Sequence, residues 1–564
     1  MNKSTLYVSL AAFALLSTAC SKKLSDFKSE YFSTNPLPVE TVGEDVRAVV
    51  TAHVPAKFMV KNAKVTATPV LSWTENGVGG EAKGEPVVIQ GENVRANGTI
   101  ISFENGGVVN IPFATPYQQA MEQSELCMDF LVDQNGKIYQ LPRVKVGNGV
   151  LATSTLASAA TVTPAVAPDN FQKVINEKYS ADIRFLINQA NIRANQTSAA
   201  DYIDLNKQLA EANSAANREI AGITVNSYAS PDGSLKFNTE LAERREKNTT
   251  SLMENQLKKD KITEFGELTS SFTPEDWEGF KSLVEKSNIQ DKELILSVLS
   301  MYKDPEERER EIRNLASVFN ELSDQILPQL RYSKIIASIN VIGKSDAEIA
   351  QLFASDPKSL SADEILYLAT LTDDNSRRMD IYRKATELYP NDYRGFNNLG
   401  MTEYVAGNYA AAKGNYEKAA RLNPASKEVE MNMGLLSLLD GNYAKANEQL
   451  GAAAGVPETA DALGVYYLTQ GEVSNALNAF GNVKTNNSAL AHILAKDYTG
   501  AKSILAGIAV PDATTYYLTA ILGARTGNES MVMSNLRQAV RMDSKLLNRA
   551  RKDLEFSNYN LSSL

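Results

Sequence analysis

A recurrence at a fixed spacing constrains this chain more than any other feature. The stretch GNYAAAKGNYEKA from Gly407 returns as GNYAKANEQLGAA from Gly441, and Gly400 returns as Gly434 at the same interval. Gly464 and Gly471 continue the series at a slightly shorter step. A fixed period of this size marks stacked supersecondary units. Each unit buries its apolar face only against the next, so several are required. Gly400 and Ala412 lack bulk and let two helices approach. Phe396, Leu399 and Tyr416 fill the space to the neighbouring hairpin, and Pro424 ends the second helix. Weaker copies follow near Ala476/Phe480, Ala501/Leu505 and Leu536/Ala539. RMDIYRKATELYP supplies the second half of a leading unit, and SKLLNRARKDLEF is expected to cap the array.

Phe396, Leu399, Gly400, Gly407, Tyr409, Ala412, Tyr416, Ala419 and Pro424 fall in the order of the tetratricopeptide pattern. Residues 346–564 therefore resemble a tetratricopeptide repeat array. The resemblance implies an all-α solenoid whose concave face holds a peptide or an extended segment, so a protein partner is expected at the repeats. The sequence shows no diagnostic clamp residue in that face.

Residues 1–19 read as a secretory signal: Lys3, an apolar run from Leu6 to Leu16, then Ser17, Thr18 and Ala19. The run is too short to span a bilayer. Cys20 follows directly, and the junction resembles a bacterial lipobox, which implies lipidation of the Cys20 thiol. Acyl chains on that cysteine are the expected membrane contact. The only other cysteine, Cys127, lies in the apolar run ELCMDFLV and is expected to be a small buried hydrophobe without a disulfide partner. SKKLSDF carries no acidic cluster after Cys20, which favours the periplasmic face of an outer membrane over surface display.

Residues 20–44 are expected to form the anchor and an extended tether. Residues 45–149 alternate short β-branched and aromatic runs with turn signals such as Asn97-Gly98 and Asn135-Gly136. This spacing predicts an antiparallel β-sandwich, with Pro69, Pro112 and Pro142 at strand ends or edges. The Ala/Thr/Ser/Pro stretch at 150–169 is predicted to be a linker.

Residues 170–345 mix the two periods. ADIRFLINQANIR, REIAGITVNSYASPDG and RYSKIIASINVIG read as three strands. LKFNTELAERREKNTTSLMENQLKK is a long amphipathic helix, and a helical insert spans about 272–329. In residues 220–257, Tyr228, Gly233, Asn238, Leu241, Ala242 and Arg245 stand where the OmpA-like C-terminal domain carries its turn and N-x-x-L-[SA]-x-x-R helix start. The segment resembles that family, which grips the diaminopimelate of peptidoglycan with a turn aspartate and the helix arginine. Arg245 matches the arginine, and such a guanidinium takes a carboxylate bidentately. Ser230 stands at the aspartate position, with Asp232 just beyond it. The candidate wall-binding set is therefore Ser230, Asp232, Asn238 and Arg245, and the departure at Ser230 leaves open a domain that binds protein instead of glycan.

The formal charge of -10 offers no basic footprint for nucleic acid. The two histidines, His53 and His492, lie far apart, and no phosphate-cradling or nucleophile-elbow motif appears. No enzyme activity, metal or cofactor is expected. The prediction is a multidomain scaffold lipoprotein: β-sandwich, OmpA-like α/β domain with a helical insert, then tetratricopeptide solenoid.

Overall fold

Period-two burial builds the N-terminal strands. Along Asp45–Val54 every second residue from Val46 is buried, as a strand with one face on a core requires. The computed structural model describes residues 23–75, 77–289, 291–314 and 320–564. The predicted signal and Cys20 lie outside the described residues. The strands of the first region are β1 (Phe32–Val42), β2 (Asp45–Val54), β3 (Ala63–Glu75), β4 (Val78–Lys83), β5 (Val87–Gly91), β6 (Thr99–Ile101), β7 (Gly107–Pro116), β8 (Ser124–Gln134), β9 (Lys137–Asn148) and β10 (Val150–Leu151). One sheet runs β10-β1-β2-β7 and the other β6-β5-β3-β8-β9, with β4 also on β3. Val50, Ile111 and Phe113 of the first share one core with Val65, Leu71, Met128 and Phe130 of the second. Cys127 is buried and free in β8.

The tether predicted at 20–44 is corrected. β1 lies inside it, and Leu24 and Phe27 are buried ahead of it. Pro36 and Pro38 disguised the strand, because prolines cannot donate to a ladder. The β1–β2 pairing shifts register between Asn35 and Glu40, which takes both prolines out of it. Pro112 and Pro142 do lie on the edge strands β7 and β9. Pro69 is inside the central strand β3, where β5 pairs residues 64–67 and β4 pairs 70–75. Its missing N–H falls in the gap between those two partners.

The described chain divides into two compact units: the part up to Pro168 together with Thr372–Leu564, and Asp169–Leu371. The second unit carries β11 (Val174–Arg184), β12 (Arg218–Tyr228), β13 (Glu267–Thr273) and β14 (Tyr332–Ile342) in the order β11-β14-β12-β13. β13 runs parallel to β12, and β14 is antiparallel to both its neighbours. The helices Ala200–Ser214 and Leu235–Lys259 cover the sheet through Tyr202, Leu205, Leu209, Met253 and Leu257. The insert between β13 and β14 has its own core of Phe280, Val284, Ile295, Leu299, Leu322 and Leu327. Three strands were predicted and four are present among the described residues. β13 is a mostly exposed edge strand without the apolar alternation that marks the others.

The array start at residue 346 is also corrected. Helices Asp346–Ser355 and Ala362–Thr370 belong to the second unit. Phe171 stacks on Tyr367 at 4.3 Å, Lys173 pairs with Asp346 at 3.1 Å, and Lys344 pairs with Glu364 at 2.8 Å. Helix Asn375–Leu388 then opens the array. Five hairpins follow among the described residues, with first helices Tyr393–Val405, Lys427–Leu439, Thr459–Thr469, Asn486–Leu494 and Ala513–Arg525. Tyr416 is fully buried against Gly400, where a Cβ would lie 2.6 Å from its ring.

Asp461 on the third first helix is buried and accepts the Thr485 hydroxyl at 2.9 Å. Burial pushes its carboxyl up to about 6, against the hydrogen bond. A native value above the unfolded one favours folding most below the unfolded value of about 4, and that contribution is lost as pH rises through 6. Asp461→Asn is therefore expected to stabilise the protein by ~1–3 kcal/mol at pH 7.5, with the gap closing near pH 4. Thermal melts at the two pH values check this, and equal gaps at both would refute it.

Candidate functional site

Two places draw chemistry-bearing residues together. The first is the turn after β12. Ser230 donates its hydroxyl to Asp232 at 2.7 Å. Arg331, at the start of β14, closes over both, donating from Nε to Ser230 Oγ at 3.1 Å and from Nη2 to Asp232 Oδ2 at 2.8 Å. Asn238 is buried, donating to the Gly233 carbonyl at 2.8 Å and to Glu275 at 3.3 Å. Tyr228 stacks on Tyr332 at 4.7 Å beside them.

Arg245 does not face this turn as an open ligand group. It is 0% exposed. Its guanidinium donates to the carbonyls of Gln189 (3.0 Å), Tyr228 (2.8 Å) and Leu186 (3.4 Å), and it lies 5.0 Å from the centre of the Phe185 ring. Burial, with the neighbouring Arg331 charge, draws its pKa down to about 10, so it stays protonated at neutral pH. The sequence reading of Arg245 as a guanidinium open to a stem-peptide carboxylate is corrected. It lies under the turn and ties the β11 end to β12. Arg331 is the arginine that meets Ser230 and Asp232, and its place at the head of a strand far along the chain gave no motif by which to find it.

The second place is the face of the array made by the first helices of its hairpins. The stretch predicted as a linker, 150–169, is not one. Residues Ala152 to Ser154, Ala159, Val162, Ala165 and Ala167 are buried, and Ala159, Val162 and Ala165 join the core of the array. Three asparagines hold this segment by its backbone. Asn432 accepts the Ala165 N–H at 2.7 Å and donates to the Ala165 carbonyl at 2.8 Å. Asn398 does the same to Ala167, at 2.8 and 3.0 Å. Asn487 does the same to Ser158, at 3.0 and 3.1 Å. Asn397 donates a further bond to the Ala165 carbonyl at 3.1 Å, and the Tyr404 hydroxyl donates to the Ala159 carbonyl at 2.7 Å. The segment runs against the repeat order, from Asn487 at its start to Asn398 at its end. Each asparagine supplies one acceptor and one donor, which is what the N–H and C=O of one residue require.

These asparagines escaped the sequence reading. Asn398 and Asn432 occupy equivalent positions in successive repeats, each just ahead of its repeat glycine, Gly400 or Gly434. Asparagine is a poor residue for a helix interior, so its recurrence there was the available signal.

No family model matches the chain, and no curated protein matches it. Solved structures similar to it include the Cut9–Hcn1 hetero-tetramer of the APC/C, at 19% identity over 36% of this chain and TM-score 0.32. The match covers 44% of that chain, less than half its length. A tetratricopeptide repeat protein from Parabacteroides merdae is similar at 13% identity over 36% of this chain and 88% of that one, with TM-score 0.29. The pilF product of Pseudomonas aeruginosa is similar at 18% identity over 32% of this chain and 92% of that one, with TM-score 0.27. The regular glycine spacing, the paired successive helices and the glycine–aromatic contacts make the C-terminal helices a tetratricopeptide-type array.

Proposed function

We propose that this protein is a non-enzymatic scaffold, anchored by a lipid on Cys20 at the periplasmic face of an outer membrane, whose repeat array holds polypeptide. The observation that carries the reading is the set of asparagines that grip a backbone through paired hydrogen bonds. Cys20→Ala is expected to move the protein from the outer-membrane fraction to the soluble periplasm. Unchanged membrane fractionation would refute the anchor.

A second reading concerns the α/β unit. Its turn was a candidate peptidoglycan site. Arg245 spends its donors on three carbonyls, and Asp232 and Ser230 are held by Arg331. A stem peptide would have to displace a largely buried ion pair to reach the turn. This arrangement supports an OmpA-like fold that binds protein instead of glycan. The wild-type protein is expected to stay in the supernatant when purified sacculi are sedimented. Co-sedimentation that free diaminopimelate reverses would restore the wall-binding reading.

A further inference from the structure

A site that reads backbone almost throughout, with one bond to a side chain from Asn487 to the Thr161 hydroxyl at 3.2 Å, chooses little among side chains by hydrogen bonding. It chooses by the room it leaves. Along the held segment the side chains facing the array are Ala159, Val162, Pro164, Ala165 and Ala167, all buried, while Thr163 and Val166 face outward and the exposed Thr161 turns its hydroxyl to accept that bond from Asn487. The pockets beneath the segment therefore accept methyl- to isopropyl-sized groups, and the positions of Thr163 and Val166 are unconstrained. Pro164 and Pro168 fix φ and lower the entropy lost when the chain is laid down.

The residues that hold the segment are also costly to leave bare. Asn397, Asn398 and Asn432 are each 1% exposed or less. They bond to one another as well as to the segment: Asn432 to Asn397 at 3.0 Å and Asn397 to Asn398 at 3.1 Å. A row of linked amides whose remaining donors and acceptors all end on one peptide backbone is a built recognition surface. A mere linker needs none of it. Water or another backbone must take those bonds when the segment leaves.

We infer that this face of the array is a peptide site for uncharged segments with small side chains at the inward positions, and that Ser158–Pro168, which makes a 3-10 turn over Ala159–Thr161 before running on without regular structure, is its ligand in cis. The inference rests on the scaffold reading and deepens it: a partner of the same chemistry is admitted only when the cis segment gives way. The segment is tethered at both ends, so its effective concentration is on the order of 1 mM. A free peptide with an intrinsic affinity of ~10 µM then binds the intact chain about 100-fold more weakly than it binds an open site.

The test uses a fluorescein-labelled peptide ASAATVTPAVAP, the sequence of residues 157–168, with the full chain. Wild type is expected to show no anisotropy change at ~10 µM, given a competing local concentration on the order of 1 mM. Val162→Ser/Ala165→Gly weakens the cis segment without adding charge, and is expected to bind the peptide about 100-fold more tightly than wild type does. Adding Asn398→Ala and Asn432→Ala to that variant should abolish the gain. A peptide with phenylalanine at the positions of Val162 and Ala165 should not bind, whereas one altered only at the positions of Thr163 and Val166 should.

Equal binding to wild type and to the opened variant, insensitive to the asparagines, would overturn the inference and leave a scaffold that takes peptides elsewhere. A folded opened variant that binds no peptide would also overturn it, making the segment a permanent strut. Should the opened variant not fold, hydrogen exchange on wild type decides. Release of the segment at lower cost than array unfolding predicts that the amides of Ser158, Ala165 and Ala167 exchange faster than those of the first helices. Exchange only with the whole array would refute it. Membrane fractionation of Cys20→Ala is read independently of every one of these outcomes.

Discussion

Arg245→Ala is expected to destabilise the α/β unit by ~3–5 kcal/mol, a loss typical of removing one partner from a buried charged network. The cause is local. Removing the guanidinium takes a donor from the carbonyls of Leu186, Gln189 and Tyr228, which it joins across 59, 56 and 17 residues of chain, and leaves the Leu186 carbonyl only the Gln189 N–H at 3.1 Å. It also leaves a void against Phe185, beside the small cluster of Ala229, Leu241 and Ala242. Desolvation already costs this arginine part of its basicity, so the three carbonyls are its compensation. The chain has two tryptophans, Trp73 in the sandwich and Trp277 in the α/β unit, so Trp73→Phe leaves a probe of the second unit alone. In that background the substitution should lower the Trp277 melting transition by roughly 6–20 °C, at about 2–4 °C per kcal/mol for a unit of this size. A transition within about 2 °C of the parent would be too small for the loss of such a network and would show that Arg245 is not buried as described. The result also bears on ligand studies. A loss of sacculus binding in Arg245→Ala alone would not identify a glycan contact, because the turn that carries Ser230 and Asp232 is bonded to the same guanidinium through Tyr228.

The legible parts of the fold share one physical property: their signal is periodic and local. The repeat array announced itself through glycines that recur at one interval, Gly400 with Gly434 and Gly407 with Gly441. Close helix approach at Gly400 and Gly434 tolerates little else. β2, and β12 from Ile223 onward, alternate because each has one face on a core. The missed parts lack that locality. β1 is interrupted by two prolines that matter only to a pairing absent at that point. β13 is an edge strand with few apolar residues to alternate. Residues 150–169 have the composition of a linker, and small uncharged side chains are also what a narrow groove accepts, so composition alone cannot separate the two. The same holds for the candidate site. The motif located the turn of Ser230 and Asp232 and the helix of Asn238 and Arg245. Whether Arg245 points outward or under the turn depends on Leu186 and Gln189, which lie far upstream and carry no signal of their own beyond a backbone carbonyl.

The repeat glycines offer the other large effect. Gly464→Ala adds one methyl group on an α-helix, which by propensity alone should stabilise by about 1 kcal/mol. The opposite is expected. A Cβ at Gly464 would lie 2.2–2.4 Å from three atoms of the Phe480 ring. Phe480 is 1% exposed and sits in the array core, so its ring has no free space to turn into. Overpacking of this kind costs about 1–3 kcal/mol or more, and the helix pair Thr459–Thr469 and Val473–Phe480 must separate to relieve it. The net loss should be ~2 kcal/mol, lowering the array transition by roughly 4–8 °C. Gly414→Ala is the internal control. Gly414 lies in the helix Tyr409–Leu422 with nothing within 4 Å of its Cβ position, so the same change there should stabilise by ~0.5–1 kcal/mol. Phe480→Leu added to Gly464→Ala should recover part of the loss, because it removes the atoms that clash. Circular dichroism melts of the four chains decide the matter. A stabilising Gly464→Ala would mean that the hairpins are not packed through their glycines, and the regular recurrence of those glycines would then need another cause.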